Sequence, residues 1–446
     1  MFLAWIKRMQ SYFYDLFERA SNNLHINEVL LANFSGEHSD FVRINRSKIR
    51  QAGSVHQLEL SLELINAGQH AETSANISGD IDSDTSLINA IITNLREQYA
   101  LLPDDPFLMI NRIVRNSQTI EADRLPNSSE VIRQIVENAQ DLDLVGLYTS
   151  GTVYRGFANS LGQRNWYQKS SFNLDWSCFL SDNVAAKSDI TGFSWNADNF
   201  SVKFDQMRDQ LSILGNTPKT IEPGQYRVYL APTALREILS TLAWRSFGAK
   251  AHKTRQTPLL KLAEQKLQLD KRVRLIENNV DGIAPDFTAS GFFKPPQVDL
   301  IEHGKHAGYL INSRSAKEYD LEVNAGSEYP LSLDLAAGDL NSSDILRKLD
   351  SGIYINNLWY SNFSDPNHCK ITGMTRYACF WVEDGKLTAP ITPMRFDESI
   401  YDMLGPNLLD LTQDTQWILE TDTYERRSVA SMRIPGVLVD RFNLTL

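Results

Sequence analysis

The sequence is poor in the residue groups that most often announce a chemistry. It holds three cysteines, Cys178, Cys369 and Cys379, with no CxxC spacing. The odd number excludes a closed disulfide framework and the spacing excludes a zinc ribbon, so free thiols in a reducing compartment fit best. Neither GxxxxGK nor GxGxxG occurs, and no glycine loop brings backbone N–H groups against phosphate at a helix start. A G-x-S-x-G turn, which would expose a serine nucleophile, is missing too. Around Asp80, Asp82, Asp84, Asp104 and Asp105 the EF-hand spacing is absent, and these acids read as cap and turn residues. Together the absences exclude a self-sufficient hydrolase of any common class. Positive charge is also short: 44 Lys and Arg stand against 55 Asp and Glu, a net charge of -11. That balance repels nucleic-acid phosphate and anionic lipid, so neither nucleic acid nor membrane is expected as a partner. No apolar run approaches a spanning length, and Lys7 and Arg8 break the apolar stretch from Met1 to Ile6 before a signal-peptide core forms. The expected location is cytoplasmic.

What is present is an ordinary folded composition, 42% hydrophobic and 22% charged over 446 residues, long enough for more than one core. Ala4 to Ala20 sets Trp5, Met9, Phe13, Leu16 and Phe17 at helical spacing. Leu58, Leu60, Leu62 and Leu64 alternate with polar residues, the pattern of a half-buried strand. Ser83 or Asp84 caps a helix whose stripe runs through Ile88, Ile92, Leu95 and Tyr99, and a second helix follows at 129–139. From Leu144 to Cys178, glycines 151, 156 and 162 punctuate an aromatic stretch that reads as successive hairpins. Pro218, Pro223 and Gly224 mark a connection. The expectation is an α+β protein of two domains, residues 1–215 of mixed α/β type and residues 216–446 strand-rich. In the second, 226–230 reads as a strand and 233–247 as an amphipathic helix. Residues 298–301, 307–311 and 352–359 read as strands, and 377–390 as a hairpin turned at Asp384-Gly385.

Glu302, His303 and His306 put a carboxylate and two imidazoles close together, so a metal site is conceivable. The spacing suits no helical face, and a solvated loop turned at Gly304 and Gly308 is the preferred reading. His368, Cys369 and Cys379 group similarly, but Cys379 lies in a strand-like run where a packed thiol is the default. The segment from Gly156 to Gly162, flanked by Arg155 and Arg164, reads as a tight hairpin rather than a substrate loop.

Several segments of the second half resemble the TldD/PmbA family of bacterial and archaeal proteins, with its modulator-of-gyrase or TldE group. The resemblance rests on Gly282-Ile-Ala-Pro-Asp-Phe287, on Gly352-Ile-Tyr-Ile-Asn356 and on the run from Phe380 to Ile391, which is similar to that family's E-x-G-K-I-x-x-P-I hairpin. Asp402-Met403-Leu404 follows at a familiar distance, and Arg155 to Ser160 is a weaker echo in the first half. Coverage is good from about residue 225 onward.

The resemblance implies a two-domain subunit that pairs through its second domain and encloses a chamber where peptides are cut. In the catalytic partner, TldD, a helix bears HExxxH and a late cysteine completes a zinc site, with the glutamate placed to activate water. Here the matching helix is 233–247, and an ungapped reading from Leu230 sets Ser240, Thr241 and Arg245 where His, Glu and His would stand. Arginine cannot shed its charge and repels zinc. Residues 416–446 contain no cysteine. The implied role is a non-catalytic TldE/PmbA-like subunit without a cofactor or metal of its own. It would assemble with a TldD-like zinc metalloprotease in the processing of peptides or unfolded segments. Two alternatives stay open. One is a homodimeric peptide-binding or scaffold protein, pairing with a second copy of itself, with Trp359, Tyr360, Phe363, Glu383 and the N-terminal helix as contact candidates. The other is a diverged metallopeptidase with a metal site rebuilt from Glu302, His303, His306 and His368.

Overall fold

Long runs of period-two alternation dominate the chain, and in the computed structural model, which describes residues 2–421 and 423–446, they build two large sheets. The first contains β1 (Glu28–Asn45), β2 (Lys48–Asn66), β3 (Gln69–Asn76), β4 (Ser117–Ile120), β5 (Asp143–Asn159), β6 (Arg164–Ser181) and β7 (Val184–Gly192). Its order is β3-β2-β1-β5-β6-β4, with β7 also on β6. Instead of successive hairpins between Leu144 and Cys178, β5 and β6 form one long hairpin in continuous antiparallel register from Asp143↔Phe179 to Ala158↔Arg164. Gly151 and Gly156 sit inside a strand rather than in turns. A Cβ at Gly151, whose φ is +145°, would lie 2.1 Å from the His38 carbonyl oxygen, so the glycine marks a close backbone approach.

Side chains of alternating strand positions leave on opposite faces. Even-numbered Leu30, Ala32, Phe34, Tyr154 and Trp166 join α1 (Phe2–Ser21) and α2 (Ile81–Tyr99) in one apolar cluster that includes Phe13, Leu16, Phe17, Ile88 and Leu95. Trp5 lies outside the residues whose side chains are described. Farther along the same face, Tyr148, Phe172, Leu174 and Trp176 pack on α3 (Ser128–Asn138) and α4 (Ala197–Leu214). The cap of α2 is Asp80, which accepts from Ser83 N at 2.9 Å, a few residues ahead of the expected Ser83 or Asp84. Asp84 is instead turned inward, accepting from Ser78 N, Gly79 N and Tyr12 OH, because these buried donors outbid a solvent-exposed cap.

The second sheet contains β8 (Gly224–Leu230), β9 (Leu275–Asn278), β10 (Gln297–Glu302), β11 (Lys305–His306), β12 (Ser332–Leu335), β13 (Gly352–Asp365), β14 (Lys370–Glu383), β15 (Lys386–Pro390), β16 (Arg395–Ser399), β17 (Leu408–Leu419) and β18 (Ser431–Leu444). Its order is β11-β10-β9-β12-β18-β16-β14-β13-β8, and β8 also pairs with β18, closing part of the sheet into a ring. β14 and β15 turn at Asp384-Gly385 as the sequence suggests. The expected strand at 307–311 is not formed. Pairing there goes to Lys305–His306 on β10, and Leu310 makes only an isolated bridge to Gly248.

On the face of the first sheet opposite the helices, Val29, Leu31, Phe157 and Tyr167 form an apolar patch at one end, and farther along Glu37, Ser39, Thr149, Ser171 and Asn173 make a buried polar region. The connection between β17 and β18 covers it. Arg427 reaches in and donates to Gly151 O at 2.9 Å, Ser171 O at 2.9 Å and Ser171 Oγ at 2.7 Å. Burial lowers its pKa to about 10, with Glu37 opposing the shift, so the guanidinium stays charged at neutral pH. Arg426 pairs with Glu59 at 2.7 Å and Gln57 donates to Glu425 O. Arg427→Leu, which strands these acceptors without a donor, is expected to destabilise the fold by about 3 kcal/mol in denaturant melts. A loss below about 0.5 kcal/mol would mean that the buried bonds do not tie the two sheets.

Candidate functional site

The helix α5 (Pro232–Ser246) follows β8 after a single residue, with proline at its start, where a missing N–H costs nothing. Ala234, Leu235, Ile238, Leu239, Leu242 and Ala243 recur at three- and four-residue intervals and are buried in the second sheet's core. The remaining face carries the three positions singled out in the sequence. Ser240 lines a cavity of about 20 Å³ with Arg236, Tyr329, Leu419, Glu420 and Ser431. Thr241 Oγ1 donates back to Glu237 O at 2.9 Å. Arg245 is exposed, 5.9 Å from the centre of the Trp244 ring. Ser240 therefore faces the ends of β17 and β18, within the late segment of the chain. The side chains meeting there offer hydroxyl, carboxylate and guanidinium groups. Among the described residues, no three His, Cys, Asp or Glu side chains group in a way that could hold a metal ion.

From the start of α5 a cleft of about 580 Å³ opens between the sheets. Pro232, Lys203, Gln206 and Gln416 also line an adjoining space of about 140 Å³. Its walls are β7 and α4 on one side and β17 on the other. Thr191 Oγ1 donates to Trp417 O at 2.9 Å, and Gln416 Nε2 donates to both Asp189 oxygens at 3.1 and 3.2 Å. Lys203 Nζ reaches Asp189 O at 2.7 Å. Phe193 meets the Trp417 ring edge-on at 6.1 Å. Arg236 beside the cleft is half-buried, and its desolvation favours the neutral form, but Glu237, Asp189 and Asp175 outweigh that and raise its pKa. Among the described residues, β7 pairs with no strand beyond β6 and β17 with no strand beyond β18, although Gly338 and Leu340 bond the β17 backbone at residues 411–413. Amide, hydroxyl and backbone groups at such edges can pair with an extended polypeptide, and among the described residues no hydroxyl lining the cleft is bonded to an imidazole.

The other sequence candidates lie elsewhere. Glu302 and His303 are exposed at the β10–β11 turn, where His303 has φ +48°. His306 is half-buried and stacks on His252 at 4.7 Å and on Tyr309 at 5.9 Å. His368 sits in a separate turn, its Nδ1 2.7 Å from Asp365. Trp359 and Tyr360 are 49% and 80% exposed on β13, with Arg376 4.5 Å above the Trp359 ring, whereas Phe363 packs against the core. Glu383 is exposed at the tip of the β14–β15 hairpin. None of these lines the inter-sheet cleft. All three thiols are buried, which raises Cys178 to about 12 and Cys379 to about 11 and lifts Cys369 as well. The sequence reading missed Asp189, Thr191, Lys203 and Gln416. A signal existed in β6, where Lys169, Ser171 and Asn173 alternate with Ser170, Phe172 and Leu174 and are buried all the same.

Residues 223–446 match the PmbA/TldA metallopeptidase C-terminal domain. Three solved structures share the fold at low sequence identity. TldE from Thermococcus kodakarensis superposes with a TM-score of 0.77 at 12% identity, over 98% of this chain and 100% of that one. A proposed modulator of a DNA gyrase from Thermotoga maritima gives 0.73 at 15% identity, again over 98% and 100%. A similarly described protein from Bacteroides thetaiotaomicron gives 0.74 at 16% identity, over 98% of both chains. No curated protein matches in sequence.

The stacked imidazoles just beyond α5 make stability depend on pH. Burial and the neighbouring His306 lower His252 to about 4, and burial lowers His306. Both are neutral in the fold and take up protons on unfolding. Their contribution is therefore complete above the ordinary value of 6.5 and declines as pH falls toward 4. His306→Phe keeps a ring in the stack, and the drop in Tm between pH 7 and pH 5 is expected to shrink by roughly half relative to the unaltered chain. An unchanged drop would place the acid sensitivity elsewhere.

Proposed function

Because the chain belongs to the TldD/PmbA family, we propose that it acts as a non-catalytic subunit that assembles with an HExxxH-bearing, TldD-like zinc protease and helps it process peptides or unfolded segments. The observation that carries this reading is the surface of α5. On the ungapped reading from Leu230, its Ser240, Thr241 and Arg245 take the positions of the two imidazoles and the carboxylate of HExxxH, and none of the three can supply zinc ligation and water activation together. Ser240 faces residues 418–420 and 430–432, the late segment in which the partner's third ligand is implied, and serine and glutamate occupy this side of the cavity. The inter-sheet cleft supports the substrate side of the proposal. Its edges offer backbone and amide groups suited to polypeptide of varied sequence, and its aromatic Trp417 gives an apolar contact.

A direct test is metal content and peptide hydrolysis for the purified chain, for an HExxxH paralogue from the same genome, and for their mixture. Co-elution with zinc and hydrolysis that depend on the paralogue are the expected result. In the mixture, Gln416→Ala with Thr191→Ala is expected to raise KM severalfold while leaving zinc content unchanged. Stoichiometric zinc with hydrolysis by the chain alone would sink the proposal.

A further inference from the structure

The β1–β2 hairpin lies away from the inter-sheet cleft and carries a second unusual surface. Between Asp40 and Glu59 there is no acid, yet Arg43, Arg46, Lys48 and Arg50 fall within eight residues. All four are exposed, and none forms a salt bridge among the described residues. This concentration stands out in a chain of net charge -11. The turn that presents it is held rigidly. Arg46 and Ser47 both have left-handed φ, +52° and +55°, where glycine or asparagine is easier, at a cost of about 1 kcal/mol per residue. Ser47 N donates to Leu144 O at 3.0 Å, and Leu144 N donates to Ser47 Oγ at 3.1 Å, fastening the turn to the start of β5.

Beside the tip, β2 presents an open edge. β3 pairs with it only from Glu59 onward, and all residues from Lys48 to His56 are exposed. Arg50 is the extra residue between the pairs Arg43↔Gln51 and Ile44↔Ile49. Next to this edge lies a groove of about 710 Å³ whose apolar lining is Val42, Ile49 and Ala52 of the hairpin and Ile132 and Val136 of α3; Asp40, Arg133 and Glu137 also line it, Arg133 being paired with Glu137. Ile49 is 55% exposed.

We infer that the hairpin tip and its groove dock an acidic segment of a partner protein, with apolar side chains in the groove and carboxylates on Arg43, Arg46, Lys48 and Arg50. The charges choose the occupant. Cations and a bulge on an edge repel a second copy of the same edge. Carboxylates convert that repulsion into attraction, and the apolar groove adds contact area that charge alone would not need. Nucleic acid fits less well, because the rest of the molecule is strongly acidic and the groove offers no aromatic platform for bases. The inference is independent of any protease partner.

The test is fluorescence anisotropy of the full chain with a labelled short peptide alternating glutamate and valine. A lysine–valine peptide and a single-stranded oligonucleotide serve as comparisons. Saturable binding of the acidic peptide is expected, weakened at least about tenfold by combined Arg46→Glu, Lys48→Glu and Arg50→Glu, and weakened by added salt. Ala52→Trp, which fills the groove without touching the charges, should weaken it as well. All four substitutions are at exposed positions, and circular dichroism checks that the fold is kept. Absence of saturable binding, binding that survives charge reversal, or equal binding of the lysine–valine peptide would falsify the docking surface. Tighter binding of the oligonucleotide than of the acidic peptide would overturn it in favour of nucleic acid.

Discussion

Backbone hydrogen bonding along β18 is the constraint on which the second sheet depends. This strand pairs with β17 along one edge and with β12 and β8 along the other, and touches β16 at its end. An interior strand with both edges satisfied cannot shift register without breaking ladders on both sides. It therefore fixes β8, and through β8 the start of α5, relative to β17. The face of α5 that carries Ser240 is thereby held against the β17 and β18 ends. The connection that enters β18 is also the one that carries Arg427 onto the polar face of the first sheet, so one strand positions both the helix and the inter-sheet tie.

The polar face of the first sheet is an expensive surface to bury, and several of its groups find partners, although among the described residues Asn173 Nδ2 has none. Glu37 accepts from Ser39 Oγ and Gln57 Nε2, and Thr149 donates to Asn173. Burying polar groups without partners would cost more than it returns.

Strong periodicities in the sequence became elements close to their expected places: α1, α2, α3 and α5, the leucine-rich part of β2, and the hairpin at Asp384-Gly385. The family resemblance rested on residues with clear structural duties. Gly282, for example, lies where a Cβ would sit 2.0 Å from Ser332 Oγ. The long β5–β6 hairpin was misread because Gly151 and Gly156 signal turns by composition, while their real role, close approach to His38 and Phe13, depends on neighbours distant in sequence. The short strand at Lys305–His306 and the stack of His306 on His252 were hidden for the same reason. The cleft was the least legible feature, since Asp189 and Gln416 meet only when two sheets are assembled.

The burial of Cys178, Cys369 and Cys379 has a practical side. One thiol lies in the first sheet, on β6, and two lie in the second, just before and within β14. With elevated pKa values and no access to solvent, all three are poor nucleophiles toward alkylating reagents while the fold is closed. Their rates of modification then act as separate clocks for the two halves of the molecule, each started only when its own sheet breathes open.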